Sequence, residues 1–249
     1  MPVTIPAGEP DHAAFVVIDG VMVVAGYEGG TVDAFDLDGN EIASSIERCP
    51  SAHGEWVSGN SVVFGCADGL AVVTVTGDEF TAHTIANPET AGAGAEDAPR
   101  VSTIVGHPEA DLLVGNFGSG LALIEADFRG GRITPLTLPA NPVGMTYDDA
   151  GELVLVLTDD GAMHGVDPLA GEIVWTSDEV VTPYATLSAG GSFSFYPGID
   201  TIGDLVYVPD PETGHLVMLD VATGEIAGQI EVGGKPARLT VVSASGVGH

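Results

Sequence analysis

Two of the seven histidines in this chain of 249 residues stand at equivalent points of a repeated pattern. His12 lies ten residues before Met22 and His53 lies ten residues before Val63, each at the entry to a predicted strand. Glu55 follows His53 by two residues, and side chains two apart in a strand point to the same side. Two imidazoles and a carboxylate suit a borderline divalent cation such as Zn²⁺. The pattern therefore predicts a metal site at His12, His53 and Glu55, against the alternative that both histidines bond backbone groups of neighbouring repeats.

Other residues are weaker candidates for the same site. Asp68 lies, like Glu28, in a loop predicted on the face of the two histidines, and His215 opens a third strand on that face but farther out. His107 is the weakest candidate, because it falls in a hairpin predicted at the opposite end of the strands. A structural role is expected for the remaining histidines, which are His83, His164 and His249.

Five similar segments carry these residues. Each is an apolar β-run that enters a turn closed by glycine and restarts as a second β-run, and the closing glycines are Gly30, Gly69, Gly120, Gly161 and Gly214. These glycines lie 39, 51, 41 and 53 residues apart. Such a recurrence of short strands is typical of a β-propeller with about four strands in each blade.

The sequence therefore predicts an all-β fold, with residues 1–249 forming a single β-propeller domain of about five to six four-stranded antiparallel blades. The blades are expected at approximately 12–47, 54–85, 101–138, 143–176 and 193–230, with a closing strand at 237–243. An incomplete set of blades would leave free strand edges, which would favour self-association.

The composition is strongly acidic. Asp and Glu number 36 against six Lys and Arg, so the formal net charge is −30. Such a surface repels phosphate backbones and anionic lipid, which excludes nucleic acid as a partner. No stretch approaches the roughly 20 apolar residues that cross a bilayer, so no membrane insertion is expected. The N-terminus shows neither the basic nor the apolar region of a signal peptide.

The two cysteines, Cys49 and Cys66, flank one predicted hairpin of the second blade. In a propeller, the entry to the first strand and the loop after the second strand lie on the same face, so the two sulfurs can meet. A disulfide is favoured over two free thiols, and it would imply an oxidising compartment.

Catalytic motifs are missing from the sequence. It contains no G-x-S-x-G, H-E-x-x-H, P-loop or dinucleotide fingerprint. A metal-dependent hydrolase of the lactonase type would need a richer cluster of acidic and amide side chains than Asn116 and Asn141 suggest. The chain is therefore not expected to be an enzyme.

Residues 49–56 (CPSAHGEW) followed by 62–70 (VVFGCADGL) resemble the AztD-type zinc metallochaperones of bacterial periplasms, and the similarity continues through 106–118 and 156–173. The resemblance implies a periplasmic or secreted β-propeller that carries Zn²⁺ and has a disulfide between Cys49 and Cys66. His53 is the clearest ligand carried over, and His12 is the next. Relative to the family, the chain is shortened at the N-terminus, where the family has a His- and Asp-rich stretch.

The expected function is that of a zinc metallochaperone, which hands Zn²⁺ to the zinc-specific solute-binding protein of an ABC importer. The alternative is a protein-interaction propeller that has lost zinc binding and docks a partner through its acidic face or through residues 182–198.

Overall fold

The computed structural model of this chain describes residues 12–89, 99–125, 131–184 and 197–242. These residues form twenty β-strands in five antiparallel four-stranded sheets, and the described ranges contain no α-helix. The predicted all-β class and the four-stranded blade are confirmed, and the architecture is that of a β-propeller. In the part of the chain that is described, no helix is long and apolar enough to cross a membrane.

Each sheet is a meander in which strands consecutive in sequence pair with one another. The first sheet contains β1 (Ala13–Ile18), β2 (Val21–Gly26), β3 (Thr31–Asp36) and β4 (Glu41–Arg48). The second contains β5 (His53–Ser58), β6 (Ser61–Cys66), β7 (Gly69–Thr76) and β8 (Glu79–Ala86). The third contains β9 (Ile104–Val105), β10 (Leu112–Phe117), β11 (Gly120–Glu125) and β12 (Ile133–Thr137).

The remaining two sheets follow the same plan. The fourth contains β13 (Pro142–Tyr147), β14 (Val154–Thr158), β15 (Met163–Asp167) and β16 (Glu172–Ser177). The fifth contains β17 (Asp200–Ile202), β18 (Leu205–Asp210), β19 (His215–Asp220) and β20 (Ile226–Glu231). The chain divides into two compact units, of which the first is Met1–Ile104 with Leu113–Pro135 and the second is Val105–Leu112 with Leu136–His249.

The core of the first unit explains why its middle strands are apolar throughout rather than alternating. In β6, Val62 and Phe64 pack into a cluster with the first sheet, whereas Val63 packs into a second cluster with Leu113 and Ala122 of the third sheet. A strand buried on both faces needs an apolar side chain at nearly every position. The second sheet is therefore covered on both sides by its neighbours in sequence.

The predicted closing strand is not found in its described part, residues 237–242, which form no strand. The carbonyl of Ala237 accepts a hydrogen bond from the N–H of Gly198 (3.2 Å), and the N–H of Val241 donates to the carboxylate of Asp200 (2.7 Å). This segment therefore runs beside the start of the fifth sheet. The N–H of Val241 bonds to a side chain, whereas in a strand it would bond to a backbone carbonyl of the neighbouring strand. Residue 243 and the predicted start of the fifth blade at 193 lie outside the described residues.

A buried histidine lies within the second unit. His164 of β15 has its Nδ1 2.9 Å from the Thr176 hydroxyl and its Nε2 3.2 Å from the Thr158 hydroxyl. The Thr158 hydroxyl donates to Asp160 (2.7 Å), so its oxygen accepts from Nε2–H, and Nδ1 accepts from Thr176. Burial lowers the pKa of His164, although the charges of Asp160 and Asp178 partly oppose this effect. The ring is therefore held neutral with both nitrogens bonded.

This histidine makes the stability of the protein sensitive to acid. At a pH below the ordinary histidine pKa of 6.5, His164 binds a proton in the unfolded chain more readily than in the folded protein, where its pKa is lowered. The free energy of unfolding is therefore expected to fall as the pH drops below that value, and to fall less in His164→Gln. Urea denaturation at about pH 7.5 and about pH 5.5 measures the difference. An equal fall in His164→Gln and in the wild type would contradict the assignment.

Candidate metal site in the first unit

The side chains of His12 and His53 lie together. Their ring centroids are 4.8 Å apart and their planes are inclined by 60°. His12 directly precedes β1, His53 opens β5, and these first strands of neighbouring sheets run side by side. Both histidines are exposed to solvent. The two imidazoles at repeat-equivalent positions therefore meet, and metal binding by the pair stays a prediction.

A tyrosine completes this cluster of rings. The ring of Tyr27 lies 4.4 Å from that of His12, inclined by 35°, and 6.1 Å from that of His53, edge-on at 88°. The N–H of Tyr27 donates to the carbonyl of His12 (3.3 Å). A search of the sequence for metal-ligand residue types does not find Tyr27. The signal that could have identified it is its position directly after β2, the strand that pairs with β1.

Glu55 does not share the side of His53. Gly54 has a φ of 69° and forms a β-bulge, so that His53 pairs with Gly65 while Glu55 pairs with Phe64, the next residue along β6. Because successive positions in a strand face opposite sides, the bulge turns Glu55 away from His53. Burial raises the pKa of Glu55. The period-two argument for Glu55 assumes an uninterrupted strand, which the bulge interrupts, and metal binding by Glu55 stays a prediction.

The described ranges, searched together, hold no group of three or more His, Cys, Asp or Glu side chains that could share a metal ion. Within the described ranges, the pair therefore offers two imidazoles and no third residue of these types for a shared ion.

The position across the ladder from His53 has no side chain. A Cβ at Gly65 would lie 2.4 Å from the carbonyl oxygen of His53 and 2.3 Å from that of Val101. The missing side chain lets the segment before β9 pass close behind β5 and β6, which fixes the backbone of His53.

Gly65→Ala is expected to lower the free energy of unfolding by roughly 1–3 kcal/mol, because the added methyl overlaps two backbone oxygens that cannot rotate away. Gly29→Ala is the matched control, since a Cβ there meets nothing within 4 Å. Urea denaturation of both variants gives the comparison. Equal stabilities would show that the backbone around His53 can move.

The surroundings of His53 disfavour the protonated form of its imidazole. Burial lowers the pKa of His53, and the charges of His12 and Arg100 lower it further. Arg100 is held by donating to the carbonyl of Ser51 (2.9 Å). A neutral imidazole has the lone pair that a metal ion needs, while the positive charge of Arg100 opposes a metal cation as it opposes a proton.

The predicted pairing of Cys49 with Cys66 is confirmed. The two sulfurs are bonded at 2.04 Å, the Cα atoms are 4.9 Å apart, and both residues are buried. Cys49 lies four residues before His53, and Cys66 follows Gly65 directly. The N–H of Cys49 also donates to the carbonyl of Gly30 (2.8 Å). The disulfide therefore ties the entry of β5 to the end of β6, on either side of the His53–Gly65 pair.

The weaker ligand candidates form hydrogen bonds with other groups of the protein. The carboxylate of Asp68 accepts a hydrogen bond from the guanidinium of Arg48 in an exposed ion pair. His215 opens β19 in the second unit, where its Nδ1 lies 3.0 Å from the carbonyl of Thr213. His107 also belongs to the second unit, and its Nδ1 accepts from the N–H of Glu109 (3.2 Å).

His107 lies beside a cavity of about 500 Å³ in the second unit. The ring of Tyr147, which lines this cavity, has its centroid 6.3 Å from that of His107 and donates its hydroxyl to the carbonyl of Leu112 (2.7 Å). The lining also includes the carboxylates of Glu109, Asp111, Glu152 and Asp167.

The two asparagines that suggested a hydrolase bond to local structure. The side-chain oxygen of Asn116 accepts from the N–H groups of Ser102 (2.9 Å) and Thr103 (2.7 Å). The amide of Asn141 donates to the carboxylate of Asp159 (2.8 Å). Each side chain is therefore bonded to another segment of its own unit.

Fold and geometry together define a β-propeller with two imidazoles gathered at the first strands of neighbouring blades. In sequence, this chain is similar to the zinc chaperone AztD of Citrobacter koseri, at 26% identity over 216 residues. The match covers 86% of this chain and 49% of that protein, so the chain spans about half the length of this curated relative. The resemblance predicted from residues 49–70 is confirmed by this match.

Solved structures agree on the fold. The crystal structure of Citrobacter koseri AztD superposes with a TM-score of 0.81 at 24% identity, covering 96% of this chain and 64% of that one. Apo AztD from the same organism gives 0.76 at 22% identity, covering 91% and 61%. BamB from Moraxella catarrhalis gives 0.61 at 17% identity, covering 92% and 63%. Residues 137–246 also match the family described as outer membrane protein assembly factor BamB.

Proposed function

We propose that this β-propeller is a zinc metallochaperone that carries Zn²⁺ at His12 and His53 and hands it to a protein of zinc import. The observation that carries the proposal is the 4.8 Å separation of two imidazoles from neighbouring sheets. The similarity to a zinc chaperone over most of this chain supports the identity of the cargo.

The donor set fits zinc as a cargo. Imidazole nitrogens are common zinc ligands, and zinc in proteins takes four ligands in most structural sites. Two histidines fill half of such a shell and leave positions for water or for ligands of an acceptor. A partly filled site exchanges ligands readily, so it suits capture and transfer better than permanent storage. A non-catalytic carrier is therefore the role that we propose.

The acceptor that we propose is the zinc-specific solute-binding protein of an ABC importer, which would complete the shell with its own ligands. The net charge of −30 raises the local concentration of cations around the carrier. The buried Cys49–Cys66 disulfide supports an oxidising compartment, which we propose to be the periplasm or the exterior of the cell.

Metal loading of the purified full chain tests this proposal. The metal-stripped protein is titrated with Zn²⁺ by calorimetry in excess Mg²⁺, because Mg²⁺ occupies carboxylates that would take up zinc without specificity. The expected result is one tightly bound zinc per chain and a higher melting temperature with zinc than without. The bound zinc should then move to a solute-binding protein mixed with the carrier. A chain with no stoichiometric zinc and an unchanged melting temperature would instead favour the protein-interaction propeller.

A further inference from the structure

The two candidate ligands are held in different ways. His53 lies within a paired strand, opposite Gly65 and next to the disulfide. His12 precedes its strand, and its contacts to Tyr27 include the backbone hydrogen bond of 3.3 Å and the ring contact of 4.4 Å. The ladder of β1 and β2 ends with Ala13 opposite Gly26, so Tyr27 stands directly across from His12.

The residues across from the two ligands differ in kind. Gly65 leaves the space beside His53 without a side chain, whereas Tyr27 places an aromatic face against His12. The same ring meets His53 edge-on at 88°. Aromatic rings favour such tilted and edge-on contacts. Tyr27 is half-buried, so its ring has fewer conformations than a solvent-exposed side chain.

We propose that Tyr27 is a positioning residue of the zinc site, whose ring holds the imidazole of His12 facing that of His53. The inference rests on the proposed function. With the ring in place, Zn²⁺ meets two donors that are already oriented. Without it, the His12 ring loses a contact that orients it, and binding must then order the side chain further. Residues that orient metal ligands typically change metal affinity by about 10–100-fold when they are replaced.

Two substitutions of Tyr27 distinguish the contribution of its ring from that of its hydroxyl. Tyr27→Ala is expected to weaken Zn²⁺ affinity at least about tenfold, and Tyr27→Phe to restore the wild-type value, because the stacking face remains. Phe15→Ala removes an exposed ring from β1, the strand that His12 precedes, and should leave the affinity unchanged. Wild-type affinity in Tyr27→Ala would overturn the proposal. Equal losses in Tyr27→Ala and Tyr27→Phe would also overturn it, since the hydroxyl would then be the active group.

A measurement without zinc tests the same contact. In the zinc-free protein, the ring current of Tyr27 should displace the NMR resonance of the His12 Cε1 proton. That resonance should move in Tyr27→Ala, keep its position in Tyr27→Phe, and leave the His164 resonance unchanged as a check on folding. An unmoved His12 resonance in a folded Tyr27→Ala would overturn the positioning role. A wild-type chain without stoichiometric zinc would instead overturn the proposed function, so the two failures are distinguishable.

Discussion

Replacing both His12 and His53 by alanine is expected to abolish stoichiometric Zn²⁺ binding, and each single replacement to weaken it at least about tenfold. The reason is that the described residues hold no group of three or more His, Cys, Asp or Glu side chains that could replace the pair. Calorimetry with a competing chelator measures the affinities, and circular dichroism checks that the exposed substitutions leave the fold intact.

The matched control for this experiment is Glu55→Gln. The bulge at Gly54 turns Glu55 to the side opposite His53, so this variant should bind zinc like the wild type. His83→Ala, at an exposed position of β8, controls for the loss of a histidine as such. An unchanged affinity in His53→Ala would remove that residue from the site. A weakened Glu55→Gln would show that the carboxylate reaches the metal despite the bulge.

Removing the disulfide with Cys49→Ala and Cys66→Ala together is expected to lower the free energy of unfolding by about 3 kcal/mol, because the link closes a loop with a sequence separation of 17 residues. Alanine is preferred to serine because both positions are buried, and a hydroxyl there would need a hydrogen-bond partner. The variant should also bind zinc more weakly, since the entry of β5 is no longer tied to the end of β6.

Urea denaturation of the variant and of the oxidised wild type measures the stability change. The reduced wild type, unfolded and refolded in the presence of a thiol, is the control that keeps the sequence unchanged. A loss well under about 1 kcal/mol would contradict the expected role of the cross-link. Full zinc affinity in a destabilised variant would show that the disulfide supports the sheet without positioning His53.

The class of fold and the repeat could be predicted because both depend on local properties of the chain. Apolar runs of strand length separated by glycine-containing turns are sufficient to predict antiparallel meanders, and the structure contains five four-stranded sheets of this kind. The equivalence of His12 and His53 was also visible in the sequence, because repeats place equivalent residues on corresponding strands. The meeting of Cys49 and Cys66 followed from the same reasoning.

The predictions that did not anticipate the structure concern positions where contacts from a distant part of the chain determine the local backbone conformation or the bonding partner. Gly54 adopts its left-handed conformation where the carbonyl oxygen of Ser102 would lie 2.7 Å from an added Cβ, a contact between sheets that no strand pattern contains. Residues 237–242 have the composition of a strand, yet one of their backbone donors bonds to the side chain of Asp200. Asp68 is an unremarkable loop carboxylate in sequence, and the fold brings Arg48 to it.

Sequence alone therefore determined which residue types are available, where each repeat places them and which cysteines pair. Tertiary structure decided which side chains face each other. A single bulge turned Glu55 away from His53, and the register of β1 with β2 brought Tyr27 against His12. The physical reason is that side-chain direction alternates residue by residue along a strand, so one left-handed residue or one shift in pairing, each set by contacts from elsewhere in the chain, changes the composition of a site.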